Sequence, residues 1–143
     1  MYQHILVALE NGPADALLLE HIKTLAKTLK SRVMLLHVAD GFAARNRESL
    51  DLADSEEIKA DQRYLDERAQ ELATEGLVTG TRLAAGNPPE EIVKAAEAEK
   101  CDLIALGAHG HKFLGDLVHG STVTPVRHNT TIPVLVIRSG KQP

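Results

Sequence analysis

Short apolar, β-branched runs alternate with stretches of helical period along the whole chain, and no other feature limits the possible folds so strongly. Ile5 to Leu9 (ILVAL), Val33 to Val38 (VMLLHV) and Asp102 to Gly107 (DLIALG) read as strands buried on both faces, since their apolar runs are nearly continuous. Leu77 to Ala85 contains an alternating strand, and Ile132 to Arg138, with its core at Val134 to Ile137, is a fifth. Between them, Ala14, Leu17, Leu18, His21, Ile22, Leu25 and Leu29 recur at three- and four-residue spacing, one face of a helix that Pro13 suits at its first turn. Leu50 to Glu75 reads as a long helix with Leu50, Ala53, Ile58, Leu65, Ala69 and Leu72 inward. Glu56, Glu57, Lys59, Asp61, Arg63, Glu67, Arg68 and Glu71 fall on its solvated side. A helix follows Gly86-Asn87-Pro88-Pro89 and runs to about Lys100, and a short one spans Ser121 to His128. The polar stretch Ala43 to Ser49 reads as a mobile loop. The order β-α-β-α-β-α-β-α-β predicts one α/β domain over residues 1–143, a doubly wound five-stranded parallel sheet with helices on both faces and right-handed crossovers. Ligands of such sheets bind beyond the carboxyl ends of the strands, where the strand order reverses, so the segments after strands one and four carry the interest.

The bulk properties narrow the function. A chain of 143 residues is long enough to bury its own core, and with two Tyr, two Phe and no Trp that core must come from Leu, Ile, Val and Ala. A net charge of −4 argues against a nucleic-acid partner, which asks for a basic face. One cysteine, Cys101, cannot form an internal disulfide, the start Met1-Tyr2-Gln3-His4 lacks signal-peptide character, and no apolar run approaches a membrane span. The expectation is a cytoplasmic protein with no membrane contact.

After strand four the chain reads Gly107-Ala-His-Gly110-His-Lys-Phe-Leu-Gly115-Asp-Leu-Val-His-Gly120-Ser121-Thr122. Glycines let a backbone approach a ligand without Cβ clashes, and successive amides in such a loop can converge on an anion. Gly120-Ser121-Thr122 then opens a helix, whose amides and dipole favour negative charge, and two hydroxyls add donors. A surface turn with Ser121 as a simple cap is the bland alternative, but four glycines are generous for that task. The segment is expected to hold phosphates. Residues 115 to 122, GDLVHGST, come close to a P-loop, yet Ser121 stands where its Lys belongs. Without that charge on the outer phosphates, fast NTP hydrolysis is not expected. The dinucleotide fingerprint is absent after strand one, where the chain reads Leu9-Glu10-Asn11-Gly12-Pro13.

The spacing of Gly107, Gly110, Gly120 and Ser121 resembles the ATP-binding signature of the universal stress proteins. The likeness extends through ILVAL, LLHV, GNPPEEIVKAA, DLIALGAHG and PVLVIR, nearly the whole chain in order. It implies a Rossmann-like sheet of the adenine nucleotide α-hydrolase type, with a nucleotide in a cleft over its carboxyl edge. It places Ala8, Val38 and Leu106 at the adenine, Glu10 (where the family usually has Asp) near the nucleoside, and Gly107, Gly110, Gly120, Ser121 and Thr122 at phosphates and ribose. Gly86 and Asn87 flank the nucleoside on a weaker argument. The implied cofactor is ATP, with Mg²⁺ as a candidate companion. The implied assembly is a homodimer through the last strand, which is apolar and would be an aggregation hazard if left bare. The implied role is a stress-response switch or sensor with little or no hydrolysis. A nucleotide-free dimeric interaction module of the same fold, or a slow hydrolase of nucleotides or phosphate esters using Glu10 or a loop histidine as base, are the rivals.

Seven histidines lack a recognisable metal-ligand spacing. His109, His111 and His119 lie in the glycine-rich segment and could bond phosphates, as could Lys112 and Arg127, with surface solvation as the alternative. Phe113 and Leu114 could form a lid or ordinary packing. Cys101 abuts strand four and reads as a small buried apolar residue rather than a nucleophile.

Overall fold

The computed structural model describes residues 1–40, 51–108 and 122–138, apart from the side chains of residues 40 and 51–55. Its elements are β1 (His4–Ala8), α1 (Ala14–Leu29), β2 (Arg32–Asp40), α2 (Asp51–Thr74), β3 (Thr79–Gly86), α3 (Pro88–Ala98), β4 (Leu103–Ala108), α4 (Val123–His128) and β5 (Val134–Arg138). These are the strands and helices expected from the sequence pattern. The suggested loop at 43–49 lies outside the described residues.

All four strand pairings are parallel, and the sheet order is β3-β2-β1-β4-β5. The chain moves outward one way from β1 through β2 to β3, then returns to the centre and moves the other way through β4 to β5. The reversal therefore lies between β1 and β4, which are in register at Ile5↔Leu103 through Ala8↔Leu106. Because side chains alternate across a strand, the continuous apolar runs feed two cores at once. Ile5, Val7, Leu9, Val33, Leu35, Leu103 and Ala105 pack with Leu18, Ile22 and Ala26 of α1 and Leu65 and Leu72 of α2. On the opposite face Leu6, Leu36, Ile104 and Leu106 pack with Ile92, Val93, Ala95 and Ala96 of α3 and Val126 of α4.

Helix α1 buries the middle of the face its spacing predicts and leaves that face's margin exposed. Ala14, Asp15, Leu18, Ile22 and Ala26 are its buried residues, whereas Leu17 and Leu29 are more than a third exposed and His21 faces outward. The helix meets β4 closely at its first turn, where Ala14 faces Gly107. An added Cβ on Gly107 would lie 3.2 Å from the Ala14 Cβ and 3.8 Å from Leu18 Cδ2. Two residues assigned to the solvated side of α2, Asp61 and Arg68, are likewise partly buried, Asp61 against His37 of β2 and Arg68 over Tyr64 one turn back on α2 itself.

Three helices end on the same turn. The amides of Ser31, Leu77 and Cys101 each bond the carbonyl five residues back, at Ala26, Leu72 and Ala96. The residue before each donor is left-handed: Lys30 at φ 59°, Gly76 at φ 90° and Lys100 at φ 57°. This is the helix stop that glycine favours, and lysine holds it at a steric cost. Lys30→Gly and Lys100→Gly are each expected to stabilise the fold by about 0.5–1 kcal/mol, and Gly76→Lys to destabilise it by about 1 kcal/mol. Urea unfolding midpoints at constant slope measure all three.

Candidate functional site

At the carboxyl edge of the sheet, the last residues of β1, β2 and β4 form one small surface. Ala8 is paired with Leu106 on one side and Leu36 on the other. Val38 stands two residues beyond Leu36 and so shares its face. Ala8, Val38 and Ala84 pack at the margin of the α3–α4 core that contains Leu106. Leu106 is buried and Ala8 and Val38 half-buried, so this apolar shelf remains partly open beside the point where strand order reverses. Three residues assigned to an adenine pocket are thus brought together on one face.

The turn after β1 is held by a buried carboxylate. Asp15, 3% exposed in the first turn of α1, accepts the amide of Glu10 on Oδ1 at 3.0 Å. Its Oδ2 accepts the amides of Asn11 at 2.8 Å and Gly12 at 3.4 Å, together with the Tyr64 hydroxyl of α2 at 2.6 Å. Converging amides at a helix start ordinarily invite an anion, and here the protein supplies its own. Asn11 takes a left-handed conformation at φ 61°, which asparagine tolerates better than most residues, and so bends the amides towards one point. Burial, then the adjacent Asp15 carboxylate, push the Tyr64 phenol well above its ordinary range. On the carbonyl side, Leu9 accepts a bond of 2.9 Å from His37 Nδ1, which must carry the proton because a carbonyl only accepts. His37 Nε2 lies 3.6 Å from Asp61 Oδ2 of α2. The segment carrying Glu10 is therefore fixed through its amides and through the carbonyl that precedes it.

Glu10 itself is exposed at the rim. Gly107 lies at the end of β4, but its Cα faces α1, on the other side of the sheet from Ala8, Val38 and Leu106. Its lack of a side chain serves helix packing directly. Thr122 precedes α4 in helical conformation, and its side chain makes no capping bond to that helix. Gly110, Gly120 and Ser121 lie outside the described residues, as do His109, His111, Lys112, Phe113, Leu114 and His119. Asn87 is engaged as the N-cap of α3, accepting the Glu90 amide at 3.3 Å. Gly86, at φ 139°, is crowded by the Glu91 side chain. Arg127 is exposed. Cys101 is buried, and that burial, with Glu99 and Asp102 nearby, raises its thiol to about 11, leaving it protonated and unreactive near neutral pH. Among the described residues no group of three His, Cys, Asp or Glu side chains could hold a metal ion.

Asp15, Tyr64, His37 and Asp61 are the residues that spacing did not reveal as parts of this site. An acidic residue in the first turn of a helix reads as a complement to the helix dipole, and Asp15 occupies that position. The signal available was the turn Glu10-Asn11-Gly12-Pro13 directly before it, which leaves three amides in need of an acceptor.

Residues 1–138 match the model of the universal stress protein family. The chain is 32% identical to universal stress protein MJ0577 of Methanocaldococcus jannaschii, over 96% of each chain. It superposes on the solved structure of MJ0577 with a TM-score of 0.87, at 31% identity and 99% coverage of both chains. Two more distant structures share the fold. One is a universal stress protein of Archaeoglobus fulgidus in complex with dAMP, TM-score 0.67 at 21% identity, covering 95% of this chain and 98% of that one. The other is a universal stress protein in complex with cAMP, TM-score 0.70 at 17% identity, covering 97% and 98%.

Tyr64→Phe removes a hydrogen bond to a buried carboxylate and is expected to cost about 2 kcal/mol of stability. Because the folded phenol titrates above the unfolded one, the wild type keeps this advantage below about pH 10 and loses it as pH rises further, whereas Phe cannot ionise. The stability gap in urea melts should therefore be constant from pH 7 to about 9 and narrow beyond about 10. A gap that widened with alkali would show that the hydroxyl is not held by Asp15.

Proposed function

The chain belongs to the universal stress protein family, and on that premise we propose that it binds an adenine nucleotide and serves as a nucleotide-dependent switch in a stress response. The observation that carries this reading is the half-open apolar shelf of Ala8, Val38 and Leu106 at the carboxyl edge, where the strand order reverses. Its small and branched side chains suit the flat face of a purine. The complexes of relatives with dAMP and cAMP support the same ligand class.

The internal bonding of the β1–α1 turn supports a placement of the phosphates on the other loop. Those of Glu10, Asn11 and Gly12 bond Asp15, and a second anion beside that buried carboxylate would be repelled. The β4–α4 side is left, where β4 runs directly into the glycine-rich segment. In this reading Gly110, Gly120, Ser121 and Thr122 hold the phosphates by their amides and hydroxyls, and Glu10 reaches a ribose hydroxyl from its fixed turn. The ligand is ATP, with Mg²⁺ on the phosphates. Hydrolysis is slow or absent, since Ser121 replaces the lysine that would stabilise charge on a transferring phosphoryl group. Strand β5 is an edge strand whose apolar residues Val134 to Ile137 are half-buried, and pairing with the same strand of a second copy gives a homodimer. The setting is the cytoplasm; no helix among the described residues is long and apolar enough to cross a membrane.

Thermal-shift titration tests the nucleotide. At about one hundred times Kd, ATP should add about 2.7 kcal/mol to stability, and Gly120→Val, which puts a side chain where phosphate must approach, should abolish that gain while leaving the unliganded melting temperature nearly unchanged. Mass spectrometry of protein denatured directly after purification should show co-purified adenine nucleotide. No stabilisation by ATP, ADP or AMP at millimolar concentration would reduce the protein to a dimerising scaffold.

A further inference from the structure

The turn that Asp15 holds contains an asparagine-glycine step, Asn11-Gly12, and no other asparagine of the chain precedes glycine: Asn46, Asn87 and Asn129 precede Arg, Pro and Thr. In such a pair the backbone nitrogen of the second residue can attack the side-chain amide of the first, because glycine puts no Cβ in the way. Three features of the structure leave that attack open. Asn11 is exposed, and its carboxamide has no hydrogen-bond partner among the described residues. A Cβ built on Gly12 would meet nothing within 4 Å, so the space beside the attacking nitrogen is clear. The five-membered imide that results brings Cβ of residue 11 and the nitrogen of residue 12 to the same side of the Cα–C bond. That is the conformation of the first central residue of a type II′ turn, with φ about +60° and ψ about −120°. Asn11 has φ 61°, so closure turns on ψ alone. The bond that holds the attacking nitrogen, from the Gly12 amide to Asp15 Oδ2, is at 3.4 Å the longest of the three amide bonds to that carboxylate.

We propose that Asn11 is a self-modifying site, which loses ammonia to form a cyclic imide and then takes up water to give aspartate or isoaspartate. The Gly12 nitrogen gives its proton to base in the solvent and forms a bond to Asn11 Cγ. The Cγ–Nδ2 bond breaks, and Nδ2 takes up a proton and leaves as ammonia. Water then adds to one of the two imide carbonyls, and the ring nitrogen regains its hydrogen. Rupture of the new N–Cγ bond leaves aspartate. Rupture of the original N–C bond leaves isoaspartate, whose main chain runs through Cβ and Cγ. Either product puts a second carboxylate beside Asp15, and like charges so close repel. Isoaspartate also lengthens the main chain by one carbon between the amides of residues 11 and 12, so the two no longer converge on one carboxylate oxygen. The turn is released. On the nucleotide reading proposed above, on which this last step rests, that turn carries Glu10, and the modified protein binds ATP more weakly.

Intact-mass and peptide mass spectrometry of the full chain, kept folded at neutral and at mildly alkaline pH, tests this. Replacement of the amide by a carboxylate should appear at residue 11, faster at the higher pH, with isoaspartate identified by its methylation by isoaspartyl methyltransferase. Gly12→Ala, whose methyl meets open space in the fold, should slow the conversion by about tenfold. The modified fraction carries one more negative charge and separates by anion exchange. It should unfold at lower urea than the unmodified fraction, and ATP should stabilise it less. Residue 11 left intact in the folded protein after the urea-unfolded protein has converted would overturn the site, as would a Gly12→Ala protein that converts at the wild-type rate. Modified protein with an unaltered urea midpoint would overturn the release of the turn. If the unmodified fraction itself gains nothing from ATP, the nucleotide reading fails, whereas conversion at residue 11 with loss of urea stability still supports this site.

Discussion

The carboxylate of Asp15 organises the working end of this molecule. A strand that gives way to a helix through five residues leaves amides pointing at a common centre, and those amides need an acceptor. In nucleotide-binding folds of this architecture, the first such turn is a standard place for a phosphate. Here a side chain from the helix itself fills it, bonding Glu10, Asn11 and Gly12, and the Tyr64 hydroxyl steadies the carboxylate from α2. The turn is rigid because its acceptor is covalently part of the chain. It also has its acceptor already in place, so a second anion beside Asp15 would meet repulsion.

The architecture was legible because it depends on burial alone. Continuous apolar runs such as ILVAL and VMLLHV mean strands covered on both sides, and their alternation with helical spacing leaves little choice but a parallel sheet. The shelf of Ala8, Val38 and Leu106 came from likeness to a family, and the strand register places all three on one face. What could not be read was the exposure of Leu17, His21 and Leu29 at the edge of α1 and the partial burial of Asp61 and Arg68. Periodicity weighs Leu17 and Leu29 as core with Ala14, Leu18 and Ile22, but the buried stripe is narrower and is set where Ala14 meets Gly107, a contact between residues far apart in sequence. Charged side chains on α2 look alike in a string; the tertiary partner His37 singles out Asp61, while Arg68 packs over Tyr64 one turn back on the same helix.

Asp15 also links the carboxyl edge of the sheet to α2. Its Oδ2 receives both the Asn11 amide, at the rim of the carboxyl edge, and the Tyr64 hydroxyl, on α2. His37 and Asp61 add a second tie from the same turn to the same helix. The position of α2 and the conformation of the segment bearing Glu10 are therefore set by shared atoms.

Gly107 bears on how a glycine signature should be interpreted. A pattern of glycines invites the assumption that every bare Cα was selected by a ligand, yet this one is occupied by the methyl of Ala14 from behind. An added Cβ would sit 3.2 Å from that methyl, so the scaffold itself favours a glycine here, with or without a nucleotide. Within the motif, then, the first glycine tells of ancestry and packing, and only positions free of such a neighbour can report whether a ligand is still bound.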